Sequence, residues 1–305
     1  MKKLWLLVVV ALCLVLPCLA EDVPTASDSQ DYKYILLADG TAKIWRYSGH
    51  ADTLVIPAEI DGYSVTSIGE GVFAFRKNLT CITIPDTVIH IDGNPFAGCS
   101  DLTDIRVSPD HPVFAAIDGV LFNKSEKELV FFSPALCDST YTIPQDILSI
   151  GKQAFLLCDN LTDITIPDSV TSIGDSAFDS CANLTGITIP DSVTSIGNGA
   201  FAYCESLTDI TIPDGVTSIG DSAFFFCESL TGITIPDSVT SIGDKAFYSC
   251  ASLTGITIPD SVTFIGNGAF AYCESLTGIT VPRDSYAAQY CQDNNLPYTY
   301  TYTND

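Results

Sequence analysis

The chain has 305 residues, 47% hydrophobic but only 16% charged, and its 37 acidic residues outweigh 13 basic ones to give a net charge of −24. Such a surface repels phosphate backbones and anionic lipid headgroups, which argues against nucleic-acid and membrane-surface binding and favours basic partners or loosely held divalent cations. The length admits two ordinary domains or one elongated array.

Residues 1–20 read as a signal peptide: Lys2 and Lys3 supply the positive start, Leu4 to Leu16 an apolar stretch, and Cys18-Leu19-Ala20 small residues at the cleavage position. The apolar stretch is too short for a comfortable membrane span. Cys18 is also where a lipid anchor would attach, although Pro17 precedes it rather than Gly or Ala. The protein is therefore expected to be secreted, or held non-covalently at the cell surface, with no integral membrane segment once the signal is removed. Residues 21–30 (EDVPTASDSQ) have the composition of a disordered leader, and residues 31–53 read as an N-terminal β-hairpin cap turning at Asp39-Gly40.

From residue 54 to residue 282 internal repetition takes over. Leu161 to Asn183 reads LTDITIPDSVTSIGDSAFDSCAN, and the same 23-residue motif restarts at Leu184, Leu207, Leu230 and Leu253. Less regular copies start at Leu54, Leu79, Leu102 and near Ser139, giving about nine rungs. The copy at Leu54 carries an insertion, Ala58 to Ser64, and the copy at Leu102 is lengthened around Asp118-Gly119-Val120-Leu121-Phe122.

Within a rung, Ile164 and Ile166 alternate with Thr165 as a half-buried strand does, and Pro167, lacking an N–H, ends the ladder. Val170 and Ile173 point inward, and Gly174 permits a turn. Asp175 is placed to cap a short helical turn, Ser176-Ala177-Phe178, before Phe178 and Cys181 close the rung. One rung holds only half a core, so rungs must stack; at about 4.8 Å per strand, the array spans on the order of 45 Å. Residues 283–305 read as a C-terminal cap, with a helix from Asp284 or Ser285 to Asp293 and a last strand from Tyr298. The predicted fold is a repeat solenoid: a leucine-rich-repeat-like stack of β-strand, turn and short-helix rungs with a parallel sheet, closed by a hairpin cap and a helical cap.

The pattern L-x-x-I-x-I-P-x-x-V-x-x-I-G-x-x-A-F-x-x-C-x-x-L resembles the BspA-type leucine-rich repeats of bacterial surface proteins, over nearly the whole mature chain from Tyr32 to Tyr298. The resemblance implies a secreted or surface-attached protein without enzyme activity, from a family in which some members are adhesins. It carries over no site residue. The chain ends at Asp305 without a cell-wall sorting motif.

Four sets of residues recur at rung spacing and are candidates for chemistry. Cys158, Cys181, Cys204, Cys227, Cys250 and Cys273, with Cys99 in the same phase, read as a stack of buried thiols, with disulfides between rungs or a metal ladder as alternatives. Thr165, Thr188, Thr211, Thr234 and Thr257, with Thr280 beyond them, should line the exposed face of the main sheet, as strand formers or as a regular array for a repetitive ligand. Asp168, Asp191, Asp214, Asp237 and Asp260 follow the prolines and read as turn formers. The positions after the invariant Phe vary and are often aromatic. Tyr203, Phe225, Phe226, Tyr248 and Tyr272 form a stripe, either leaning over the next rung or serving as interface anchors.

His50, His90 and His111 belong to no catalytic or metal motif, and neither a phosphate loop nor a dinucleotide fingerprint occurs. No enzyme activity, cofactor or metal is expected. The expected function is adhesin-like binding of proteins or other cell-surface ligands, with extracellular or cell-surface proteins as the partners; the alternative is a structural, self-associating component of an extracellular or surface layer.

Overall fold

The computed structural model describes residues 29–136 and 139–301. The predicted signal peptide, Cys18, residues 21–28 of the predicted leader, Cys137 and the chain end from 302 lie outside the described residues.

The 23-residue period fixes the architecture because equivalent residues fall in register. Ile164, Ile187, Ile210, Ile233, Ile256 and Ile279 are successive partners on parallel strands. This face of the solenoid is an eight-stranded parallel sheet running from Thr140–Thr142 to Tyr298–Tyr300. Toward the N-terminus it gives way to a separate sheet of three strands, Thr53–Val55, Cys81–Ile84 and Asp104–Val107, making eleven strands along this side. The second face carries shorter strands such as Ser172–Ile173 and Ser195–Ile196, in a nine-stranded sheet ending at Phe264–Ile265.

Pro167 turns the chain between the faces, its carbonyl accepting from the Val170 amide at 3.0 Å with Asp168 and Ser169 at the corner. The Asp168 series thus lies at turns, as the sequence implies. The rung interior is apolar. Ile164, Ile166, Val170, Ile173, Ala177, Phe178, Cys181 and Leu184 are all buried, and so are their counterparts in the next three rungs. The phenylalanines form a continuous stack: Phe178–Phe201, Phe201–Phe224, Phe224–Phe247 and Phe247–Phe270 have ring centroids 5.3–5.5 Å apart with planes within 6° of parallel.

The third side departs from expectation. Instead of a short helical turn, Asp175–Ser180 makes successive turns with left-handed backbone at Ser176 (φ 51°) and Ser180 (φ 60°). The amides of Ser176, Phe178 and Ser180 donate to the carbonyls of Asn198, Ala200 and Ala202 in the next rung, each at 2.8 Å. Backbone bonding across rungs replaces bonding within a helix. Asp175 accordingly does not cap its own turn: its Oδ1 accepts from the Asn198 amide at 2.7 Å, Asn198 Oδ1 from Asp221, and Asp221 Oδ1 from Asp244.

The aromatic core is covered at both ends. Tyr32–Leu36 and Ala42–Tyr47 form an antiparallel hairpin whose Tyr47 ring packs on Phe73 at 5.5 Å. At the other end Ser285 caps the helix Tyr286–Asp293, its side chain accepting from the Ala288 amide. Tyr290 of that helix meets Phe270 edge-on at 6.3 Å and donates its hydroxyl to the Gly266 carbonyl. The lengthened rung interrupts the array with strands Phe114–Ile117 and Val120–Asn123, and the buried apolar residues fall into two clusters meeting there.

Candidate functional site

The five predicted stripe residues lie together on the turn side. Tyr203 stacks on Phe226 with centroids 5.4 Å apart and meets Phe225 edge-on at 5.4 Å. Phe225 and Phe226 touch at 4.7 Å, Phe225 stacks on Tyr248 at 5.0 Å, and Tyr248 reaches Tyr272 at 4.9 Å. The rings do lean on one another across rungs, yet they are not sealed: Tyr203 is 42% and Tyr272 66% exposed, with Phe225, Phe226 and Tyr248 half-buried. The Tyr248 phenol is held above its ordinary pKa, first by desolvation among these neighbours and then by the Tyr272 hydroxyl beside it.

The backbone under this cluster is unusual. Tyr203 (φ 56°), Phe226 (φ 57°) and Tyr272 (φ 60°) all sit in the left-handed region, where a bulky side chain is disfavoured. Tyr203 and Phe226 are held there by bonds between rungs, the Tyr203 amide donating to the Phe225 carbonyl and the Phe226 amide to that of Tyr248. Equivalent positions carry Gly98, Ser180 and Ser249, so the fold itself has no need of a ring at this place.

Two further apolar residues share this phase and were not singled out from the sequence. Phe75 (φ 58°) is 69% exposed, and Leu157 (φ 62°) is half-buried. Phe75 lies over Gly98, where an added Cβ would fall 2.6 Å from its ring and 3.5 Å from Leu157. Counting back in steps of 23 from Tyr203 reaches Leu157, which the irregular N-terminal copies obscure for Phe75.

The predicted threonine ladder is on the other side of the molecule. Thr165, Thr188, Thr211, Thr234 and Thr257 are exposed on the eight-stranded sheet. Thr211, Thr234, Thr257 and Thr280, with Asp209, Gly232, Gly255 and Gly278, border a shallow trough of about 540 Å³, continued by one of about 320 Å³ past Thr188 and Gly186. Other threonines stitch rungs together: Thr185, Thr208 and Thr231 donate their hydroxyls to the carbonyls of Thr162, Thr185 and Thr208.

Among the described residues the cysteine ladder stands as thiols with no disulfide between rungs. Cys99, Cys181, Cys204, Cys227, Cys250 and Cys273 each donate to the carbonyl of a buried Phe 26 positions earlier, as Cys204 does to Phe178 at 3.2 Å and Cys227 to Phe201 at 3.1 Å. Burial raises these thiols, Cys99 and Cys273 to about 11 and Cys204 and Cys227 well above the ordinary value. Such groups are protonated and inert at neutral pH. Among the described residues no cluster of three His, Cys, Asp or Glu side chains could hold a metal ion, and no helix is long and apolar enough to cross a membrane.

Known proteins place these features in context. The model of the BspA type leucine rich repeat region matches the chain in six copies over residues 52–137, 130–247 and 194–297. Among solved structures, the pneumococcal vaccine antigen PcpA is similar with 20% identity and a TM-score of 0.64, covering 82% of this chain and 68% of that one. A leucine-rich repeat protein from Eubacterium ventriosum is similar with 20% identity and a TM-score of 0.58, over 80% of this chain and 93% of its own. At this identity the likeness concerns the fold alone. No curated protein matches the chain.

Proposed function

The chain belongs to the BspA-type leucine-rich repeat family, and we propose that it is an exported, non-catalytic binding solenoid that holds extracellular or cell-surface proteins in the manner of an adhesin. The reading rests on one observation above all: a contiguous, partly exposed cluster of five rings, three of them on left-handed backbone. The rung imposes this backbone whichever residue fills it, Gly98, Ser180 and Ser249 included, and a bulky side chain there costs on the order of 1–3 kcal/mol that the fold does not require. Aromatic side chains are the usual anchors of protein interfaces, since they bury much area and lose little rotamer freedom. Export is supported by the signal-like residues 1–20 and by the family.

The test is a pull-down with residues 21–305 against extracellular-matrix proteins and the producing cell's own envelope, read by mass spectrometry. Saturable capture of a matrix or foreign surface protein, weakened by Tyr203→Ser with Phe226→Ser, supports the reading. Absence of any saturable capture overturns it.

A second reading, a self-associating layer component, is favoured by the outermost strands: among the described residues Thr53–Val55 and Tyr298–Tyr300 each pair with a strand on one side only, and such an edge is a template for another chain. Edge pairing of that kind is head-to-tail and does not close. Concentration-dependent filaments in light scattering would favour it over capture of a foreign protein.

A further inference from the structure

Resting on that reading, we propose that the aromatic stripe recognises arginine-rich segments of partner proteins, each guanidinium lying against a ring and a glutamate of the same rung. The first support is a covariation within the chain. Tyr203, Phe226 and Tyr272 are each followed two residues later by an exposed glutamate, Glu205, Glu228 and Glu274. In the two rungs that carry serine at the stripe position, Ser180 and Ser249, the later position is Ala182 and Ala251. Ring and carboxylate come and go together, although the core dictates neither. Leu157 with Asp159 sets a carboxylate beside an apolar residue but offers no ring, and Phe75 is followed by Lys77, which confines the site to the later rungs.

The second support is a cation already in place. Between Lys152 and Arg283 the sequence has one basic residue, Lys245, and its ammonium lies 6.0 Å from the centroid of the Tyr248 ring, within cation–π range. The third is charge: a chain of net charge −24 draws a basic segment toward itself, and the rings then supply the selectivity that charge alone lacks. Arginine suits the pairing better than lysine, because its planar guanidinium stacks on a ring face while its fork of N–H groups meets a carboxylate. With rungs about 4.8 Å apart, an extended chain laid along the solenoid axis meets Tyr203 with Glu205 and Phe226 with Glu228 on adjacent rungs, and Tyr272 with Glu274 two rungs further on.

The repeat supplies variants that leave the fold intact. Serine is native at the stripe position, alanine at the glutamate position, and glycine (Gly199, Gly268) at the position of Lys245. Fluorescence anisotropy with labelled octa-arginine, octa-lysine and a neutral glycine–serine peptide tests the inference on residues 21–305. Octa-arginine is expected to bind about tenfold tighter than octa-lysine. Tyr203→Ser/Phe226→Ser/Tyr272→Ser and Glu205→Ala/Glu228→Ala/Glu274→Ala should each weaken it about tenfold, and Lys245→Gly should strengthen it by uncovering Tyr248. Equal binding of both cationic peptides, unmoved by the serine variant, would mean attraction by net charge only and overturn the inference. So would absence of octa-arginine binding. If the serine variant loses protein capture while no octa-arginine binds, the binding face stands and its preference for arginine falls.

Discussion

Phe131 and Phe132 are neighbours in the chain but belong to different cores: Phe131 meets Phe96 edge-on at 5.2 Å, whereas Phe132 stacks on Phe155 at 5.0 Å. They lie in the lengthened rung, where the N-terminal cluster around Phe73 and Phe96 hands over to the long phenylalanine stack. In a solenoid each rung is stabilised by its neighbours, so cooperativity across the molecule depends on this junction.

Phe132→Ala should therefore remove about 3–5 kcal/mol, as large core truncations do, and split one urea transition into two. Phe224→Ala, in the middle of the regular stack, should lower the midpoint without splitting it. Circular dichroism and calorimetry on the two variants distinguish these outcomes, and a single transition in Phe132→Ala would refute the junction.

The thiols give a second prediction. With Cys99 and Cys273 raised to about 11 and Cys181, Cys204, Cys227 and Cys250 buried against Phe carbonyls, alkylation of these six thiols at pH 8 should be negligible in the folded protein. Half-buried Cys273 should react first on mild destabilisation. In denaturant without reductant all nine described cysteines should titrate; a shortfall would mean disulfides between rungs.

His111 makes the fold sensitive to acid. Its ring is buried, Nδ1 accepts from the amides of Val113 and Phe114 at 3.1 and 3.0 Å, and Nε2 donates to the Pro85 carbonyl at 3.2 Å. That pattern needs a neutral imidazole, and burial, the largest influence, lowers its pKa below the ordinary 6.5. The unfolded chain then binds the proton first. The stabilisation is complete above about pH 6.5 and declines as pH falls below it toward the folded value. Half-buried Glu128 and Asp179, whose carboxyls are raised, act in the opposite sense, so the comparison must be with His111→Gln. The urea midpoint of the wild type should fall more than that of the variant between pH 7.5 and 5.5.

The strained backbone under the stripe is testable apart from any ligand. Tyr272 is the most exposed of the five rings, so Tyr272→Gly gives up little burial and relieves a left-handed residue. It should leave stability unchanged or raise it by about 0.5–1 kcal/mol, measured by urea unfolding. A loss of more than that would show that the ring serves the fold.

The alternation of Ile164, Thr165 and Ile166, the invariant Pro167 and the 23-residue spacing were enough to read the solenoid, because every one of those signals repeats in phase. The turn side was not legible. Gly174-Asp175-Ser176 looks like a helix start, and nothing local tells that Ser176 turns left-handed and bonds to the next rung rather than to its own. Hence Asp175 was placed on the wrong amide. The stripe was visible as a list of aromatic positions, but their contact depends on that same backbone, and Phe75 was hidden because its rung departs from the regular motif. The threonine hydroxyls that stitch the rungs, such as Thr208 to Thr185, fall at the strand entrance, where alternation gives no direction.

The most direct test of the binding face sets it against the threonine trough on the opposite side. Capture of the partner protein is compared for Tyr203→Ser/Phe226→Ser/Tyr272→Ser and for Thr211→Arg/Thr234→Arg/Thr257→Arg, with both variants first shown to unfold at the wild-type urea midpoint. Loss of capture in the serine variant, with full capture in the arginine variant, is the result this account predicts. Full capture by the serine variant together with loss in the arginine variant would contradict it and move the interface to the sheet.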